Sequence, residues 1–347
     1  MVRVGIIGMG GISVAHIGGL QNVQDAKITA VCDINEEKLQ AAGDKLGVPS
    51  AYRFRDYRDL IACPEVDAVE ICTPNYLHVP MALDAVRAGK PVNVEKPLGI
   101  ACDAQMKALL AEIEKKNVAN MMCFSYRFKP AVRYAKHLLE TGKLGRIVNV
   151  NIAYLQSGVF IPGRRLEWRF VKEYAGSGTL ADLGVHLIDM TRFLLGDFKS
   201  ICAMSETVVD KRRRLDSEEY APVEVDDLTG FIAKLENGVI ANFLVTKCAI
   251  GESNTIVYEI FGTDGVIKFN LNVPNELTLS TAGENMTADT RVIQVPQAYY
   301  LEQEACFIDA VNGKMHPYFP SVEEGAKSQK VVDAALRSAT EHIMVDL

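Results

Sequence analysis

Val2-Arg3-Val4-Gly5-Ile6-Ile7-Gly8-Met9-Gly10-Gly11-Ile12-Ser13 decides how the rest of the chain is read. An apolar strand at 2–7 runs straight into a glycine turn, and residues 12–20 beyond it carry a helical pattern. Glycines alone say little, because any tight turn needs them. Between a strand and a helix they say more. Backbone without side chains can approach a pyrophosphate, which then lies at the positive end of the helix. Gly8, Gly10, Gly11 and Ile12 are therefore assigned to a dinucleotide, with Ser13 a small substitute for the third fingerprint glycine. Asp33 follows about twenty residues on, at the end of a second strand at 26–32, with Ile34 beside it. A carboxylate there accepts hydrogen bonds from both ribose hydroxyls and repels a 2′-phosphate. No Arg or Lys stands at 34 or 35, so NAD is expected ahead of NADP.

Outward from this turn, short apolar runs at 66–72, 91–94 and 118–124 alternate with helical stretches at 36–46, 77–88 and 104–116. That alternation predicts an α/β, doubly wound parallel sheet over residues 1–122. From 123 to 347 the rhythm changes. Strands are expected at 147–156, 228–235, 239–246, 255–261 and 266–270, and helices at 130–140, 179–195, 300–311 and 322–338. Glu236-Asn237-Gly238 and Gly262-Thr263-Asp264-Gly265 carry hairpin chemistry. Most of these connections are too short for a crossover helix, so the second domain is expected to be α+β with an open, largely antiparallel sheet.

The chain has 347 residues, 48% of them hydrophobic and 23% charged, which suits two packed cores and argues against disorder. Its 37 Lys and Arg against 44 Asp and Glu give a net charge of −7, which disfavours a nucleic-acid face. The basic run at 211–214 is followed by Asp216, Glu218 and Glu219 and reads as a solvated loop. No stretch approaches the roughly 18 to 20 apolar residues of a membrane helix. The first residues read directly as a strand, with no basic leader and cleavage site, so a cytoplasmic location is expected. Eight scattered cysteines without a C-x-x-C fit reduced thiols, and the six histidines show no H-x-x-x-H spacing, so no metal is expected.

Glu95-Lys96-Pro97 ends the strand at 91–94, and ligands of doubly wound sheets gather at the carboxyl ends of strands. A lysine there can face the crevice or form a surface ion pair. Asp182 and His186 are four apart on the otherwise apolar helix at 179–195, so they share a face. Titratable groups on a buried helix need partners or a cleft. His186 is the candidate base, because an imidazole titrates near neutrality. Asp182 can orient it or bind a neighbouring substrate hydroxyl, and Lys96 can stabilise developing alkoxide charge. A neutral Lys96 acting as the base is the alternative, and Asp189 is read as structural. Tyr126, Arg127, Tyr154 and Gln156 are candidate substrate contacts, although Arg127 could instead tie the domains together. The connection at 156–174 carries Arg164, Arg165, Glu167, Trp168, Arg169 and Tyr174, which suit a polyol or a subunit contact.

Four further segments fall in order after the glycine turn and His16: Cys72-Thr73-Pro74-Asn75-Tyr76-Leu77-His78, Glu95-Lys96-Pro97-Leu98, Tyr126-Arg127-Phe128 and Trp168-Arg169. Gly176-Ser177-Gly178-Thr179-Leu180-Ala181-Asp182-Leu183-Gly184-Val185-His186-Leu187-Ile188-Asp189 completes the set, with Gly-Ser-Gly where three glycines are common. Over nearly its whole length the chain resembles the Gfo/Idh/MocA oxidoreductase family. The resemblance implies a Rossmann domain at 1–122 and a substrate-binding domain at 123–347 whose open sheet forms a dimer or tetramer interface. It implies that Thr73, Pro74, Asn75 and His78 line the cofactor crevice, with Glu95 near the nicotinamide and a Lys96–Pro97 bond that is often cis. Trp168 and Arg169 are expected to approach the cofactor from the second domain. The expected activity is NAD-dependent hydride transfer at a secondary hydroxyl of a cyclic polyol or sugar. The inositol 2-dehydrogenase type is favoured over oxidation of glucose-type sugars at the 3-position. The rivals are an enzyme that keeps its NAD and oxidises a sugar transiently, and a non-catalytic NAD-binding sensor.

Overall fold

β1 (Val2–Ile7) is buried along nearly its whole length and pairs in parallel on both sides, with β2 (Ala26–Cys32) and with β4 (Ala68–Ile71). β3 (Arg53–Phe54), β5 (Val92–Val94) and β6 (Asn120–Met122) extend the sheet in the order β3-β2-β1-β4-β5-β6, every pair parallel. The strand order reverses at β1, which opens a crevice beyond the carboxyl ends of β1 and β4. The flanking helices start where local chemistry dictates. The Asn35 side chain accepts from the Lys38 amide 2.9 Å away at the head of Glu36–Leu46. Asp103 does the same for Met106 at the head of Ala104–Lys116. This is the α/β architecture expected from the alternation.

The computed structural model describes residues 1–283 and 287–347. It divides into a unit of Met1–Phe124 with Leu301–Lys327 and a unit of Ser125–Tyr300 with Ser328–Leu347. The return of Leu301–Lys327 to the first unit is seen in the Val322 amide, 3.0 Å from the Asn120 carbonyl oxygen of the side chain. A linear reading with one boundary cannot show such a return.

The second unit is built on β7 (Ile147–Leu155). Around it lie β8 (Phe198–Glu206), a small hairpin of β9 (Lys211–Arg213) and β10 (Tyr220–Pro222), then β11 (Leu228–Leu235) and β12 (Ile240–Thr246). β13 (Thr255–Gly262), β14 (Gly265–Asn270), β15 (Glu276–Ala282), β16 (Ala288–Gln294) and β17 (Val345–Asp346) complete it. The nine-stranded sheet runs β16-β15-β14-β13-β7-β12-β11-β8-β17. It is antiparallel except where β7 meets β12 in parallel, so that two strand carboxyl ends lie side by side. Along β11 and β12 the burial alternates, with Phe231, Ala233, Phe243 and Val245 inward. The helix expected at 179–195 is two structures: a π turn over Leu180–Gly184, then an α-helix over Val185–Leu195. The buried Tyr258 hydroxyl donates to the Leu187 carbonyl at 2.9 Å and holds that helix to the sheet.

Candidate active site

The candidate site residues form two groups, one within each unit, and each group is built by its own unit. In the first, Gly8 adopts φ +95, and a Cβ there would stand 2.7 Å from the Cys72 carbonyl oxygen, so only glycine fits. Gly10 and Gly11 differ: a Cβ at either meets nothing within 4 Å, which leaves bare backbone facing open space. The helix Ser13–Gln21 that follows has no side-chain cap and no acidic residue in its first turn. Its amides and its positive end are thus left for an anion. Ile12 precedes this helix, and the Ser13 hydroxyl donates to the Gly10 carbonyl at 2.6 Å, bracing the turn.

Asp33 is held by backbone. One oxygen accepts from the Met9 amide at 2.7 Å and the other from the Asn35 amide at 2.8 Å. This fixes the carboxylate beside the glycine turn, with the Ile34 side chain in solvent. The cradle and the anchored acid fit a dinucleotide with an unphosphorylated ribose.

Thr73, Pro74 and Asn75 form the turn after β4. His78 is buried, with Nδ1 2.6 Å from the Pro97 carbonyl and Nε2 2.7 Å from the Thr73 carbonyl. Burial lowers its pKa although both carbonyls pull the other way. The neutral ring has one N–H to donate and lies between the Thr73 turn and Pro97, which follows a cis peptide bond from Lys96. Beneath lies a buried charge cluster. His16 Nδ1 is 2.6 Å from Glu70 Oε2 and Nε2 is 3.0 Å from Glu95 Oε1, while Glu95 Oε2 accepts from the Lys96 amide at 3.0 Å. Burial favours a neutral His16, but its acidic neighbours, Glu70 among them, outweigh it and raise its pKa well above the ordinary value. Burial likewise opposes the Glu95 carboxylate, and the bond from His16 overcomes it, lowering that pKa. His16, Glu70 and Cys123 bring three ligand-type atoms within 4.8 Å of one another. The 2.6 Å contact is a shared hydrogen bond, shorter than two ligands bound at about 2.0–2.2 Å to one ion normally stand apart.

In the second unit, His186 is buried and meets the Tyr126 ring edge-on at 4.7 Å between centroids, with Tyr154 at 6.5 Å. The Tyr126 and Tyr154 hydroxyls are 2.7 Å apart. Asn254 joins them: its oxygen lies 2.7 Å from the Tyr154 hydroxyl and 2.7 Å from Gln156 Nε2, and its amide donates to Tyr126 at 3.0 Å. Burial, with Tyr126 beside it, pushes the Tyr154 phenol far above its usual range, so it serves as a neutral donor and acceptor. Asp182, in the π turn, pairs through Oδ2 with the Lys247 ammonium at 2.7 Å. π turns inside α-helices occur frequently at functional sites. Arg127 goes elsewhere. It is buried in a two-bond ion pair with Asp189, at 2.7 and 2.5 Å, with its guanidinium 5.1 Å from the Phe193 ring centre. Trp168 and Arg169 form a short turn in which the Arg169 guanidinium lies 4.4 Å from the Trp168 ring centre.

Residues 2–124 match the oxidoreductase family with an NAD-binding Rossmann fold, and residues 132–268 match the GFO/IDH/MocA C-terminal domain. Levoglucosan dehydrogenase of Pseudarthrobacter phenanthrenivorans is 33% identical over 320 residues, covering 85% of this chain and 78% of that enzyme. The chain belongs to the GFO/IDH/MocA family. Myo-inositol 2-dehydrogenase of Thermotoga maritima is 27% identical over 356 residues, covering 100% of this chain and 98% of its own. A solved levoglucosan dehydrogenase in complex with NADH superposes with a TM-score of 0.91 at 30% identity, covering 99% and 98% of the two chains. This GFO/IDH/MocA protein is thus an oxidoreductase with an NAD-binding Rossmann domain. No helix among the described residues is long and apolar enough to cross a membrane.

Four residues of this family member escape a reading of the sequence alone. Asp226 is buried and accepts from the Gly178 amide, the Leu180 amide and the Ser177 hydroxyl at 2.8, 2.8 and 2.6 Å, capping the segment that carries Asp182. Lys247 and Asn254 come from loops after β12 and before β13. Arg55 donates to the Ile34 carbonyl at 3.2 Å because β3 pairs with the end of β2, which brings a guanidinium to the Asp33 region. Asp226, 48 residues from Gly178, is a usable signal only once strand pairing is known; for the other three the sequence holds none.

Proposed function

We propose that this oxidoreductase transfers a hydride between NAD and a secondary hydroxyl of a cyclic polyol or sugar, of the inositol or anhydrosugar kind. The observation that carries the reading is the buried His186 beside an array of neutral donors and acceptors, Tyr126, Tyr154, Gln156 and Asn254. Such groups match hydroxyls, which both donate and accept. The names of the relatives, levoglucosan and myo-inositol dehydrogenases, support the same class.

NAD, when bound, supplies the hydride acceptor. The chain supplies the proton path and the charge control. His186 takes the hydroxyl proton, and its burial among aromatic rings keeps bulk water from competing. Asp182 stands on the same helical segment to orient the sugar or the imidazole. Lys96, whose backbone is fixed by Glu95, stabilises the negative charge that grows on the reacting oxygen. A neutral Lys96 acting as the base gives a different signature: His186→Ala then retains turnover while Lys96→Met does not.

The test is NADH absorbance with NAD and a panel of inositols, levoglucosan, hexoses and sugar acids, repeated with NADP. Turnover with NAD that is lost in both variants is the expected result. Absence of nicotinamide binding, or full turnover by Lys96→Met, overturns the reading. Altered sugar without net NADH assigns instead the enzyme that recycles its cofactor.

The same reading includes a homo-oligomer. Cys202, Met204, Ile232, Ile240 and Leu244 are exposed on one face of the second sheet, beside Asn242 and Asn151, whose side chains bond at 3.0 Å. A patch of this kind is suited to a second copy of the chain. Light scattering is expected to give a dimer or tetramer, and a monodisperse monomer at working concentration removes this part.

A further inference from the structure

Lys247 sits where the sheet departs from antiparallel order. β7 and β12 run side by side, and at their carboxyl ends Leu155 pairs with Thr246 while the Gln156 amide donates to the Thr246 carbonyl at 2.9 Å. Lys247 is the next residue. Its backbone is pinned twice, by its amide to the Asp227 carbonyl at 3.0 Å and by its carbonyl to the Val159 amide at 3.1 Å. The side chain is therefore launched from a fixed point one residue beyond the strand. It is 13% exposed, and its ammonium reaches Asp182 Oδ2 at 2.7 Å.

An ammonium has three N–H donors. Among the described residues Asp182 is the one hydrogen-bond acceptor that the Lys247 ammonium meets. A cation so largely removed from water is costly unless its remaining donors find oxygen. The groups supplied by β7, the π turn and the segment before β13 gather acceptors and hydroxyls at this end of the sheet, where the fold leaves a charged donor incompletely used. We propose that Lys247 is a substrate-binding residue: Asp182 takes one of its N–H donors, and a ring hydroxyl adjacent to the reacting carbon takes another. Asp182 neutralises the cation, so the site grips a neutral sugar and gains nothing from an added phosphate. The assignment rests on the polyol reading above and extends it to the hydroxyl next to the one oxidised.

The alternative is an ion pair that only fastens the π turn to β12. The two are separated by steady-state kinetics on whichever of myo-inositol and levoglucosan the wild-type protein oxidises. Lys247→Met is expected to lower kcat/KM roughly ten- to hundredfold, mostly through KM, because the lost hydrogen bond is made in ground state and transition state alike. Lys247→Arg is expected to recover part of the loss. NADH affinity, read by fluorescence, should stay within about twofold of wild type, a tolerance set by the precision of binding differences. A deoxy analogue lacking the adjacent hydroxyl should be discriminated by the wild type and not by Lys247→Met. Unchanged KM in Lys247→Met, or a loss matched by unfolding in a thermal melt and not restored by arginine, overturns the assignment. Wild-type protein that binds NADH and oxidises neither these two nor any other sugar of the panel overturns the polyol reading beneath it.

Discussion

The two units make their polar sites from different materials. In the first, the nucleotide turn is backbone: the Gly8–Gly11 loop, the uncapped amides of Ser13–Gln21 and one carboxylate clamped by two more amides. In the second, the proposed site is side chain, gathered from positions 126, 154, 156, 182, 186, 247 and 254 by sheet register and one π turn. A backbone site is sensitive to any added Cβ and indifferent to most side-chain chemistry. A side-chain site tolerates neighbours that change size and fails when one functional atom is lost.

The largest expected effect is in the second unit. His186→Ala should lower kcat by about 10²–10⁴-fold, the usual range for a lost general base, while NADH binding is unchanged by fluorescence titration. Equal losses of cofactor affinity would break the distinction between the two halves. Next comes the Arg127–Asp189 pair, buried in the second unit. Arg127→Met leaves Asp189 buried without its cation and should cost about 3–5 kcal/mol in denaturant unfolding.

The glycine turn sharpens the contrast within the first unit. Gly8→Ala should lower thermal stability, because φ +95 and the Cys72 carbonyl leave no room for Cβ. Gly10→Ala should melt with the wild type and yet bind NADH about tenfold more weakly, roughly 1.4 kcal/mol, because its Cβ intrudes only when a phosphate is present. Asp33→Ser should raise the rate with NADP relative to NAD, and adding Arg55→Ala should undo that gain if the guanidinium near Ile34 receives the 2′-phosphate.

The smallest effect is a pH dependence. The folded-state pKa of His16 is raised, so its charge stabilises the fold fully below the unfolded value of about 6.5 and less as pH climbs through the folded value. The stability gap between wild type and His16→Gln should thus be widest below pH 6.5 and narrow in alkali. A gap that widens with pH would mean that the ring is neutral when buried.

The same division of materials governs what could be read from the sequence. The nucleotide half is a contiguous strand, turn and helix with an acid at a fixed interval, and that spacing is written in the chain from Gly8 to Asp33. That Asp182 and His186 lie on one helical segment is legible, because their spacing is local. The placement of Lys247, Asn254 and Arg55 is not, since each arrives through pairing between strands remote in sequence. β16 shows the limit for elements too: its residues are exposed almost throughout, so no apolar alternation marks it as a strand. The parallel pairing of β7 with β12 also lies beyond local pattern, because nothing in either segment says which neighbour it will find.

The π turn at Leu180–Gly184 sets a rule about length. Such a turn holds one residue more than the α-helix around it would take. Deleting Leu183 would let the segment run as an unbroken α-helix, and each residue of helix subtends about 100°. Asp182 would then stand three residues rather than four before His186, turned about the helix axis relative to the imidazole and to Lys247. In this segment a single-residue deletion trades function for regularity: the smoother helix should melt no lower than the parent, and the catalyst should be lost. Any redesign of this unit that straightens its helices for thermal robustness has to leave that one surplus residue in place.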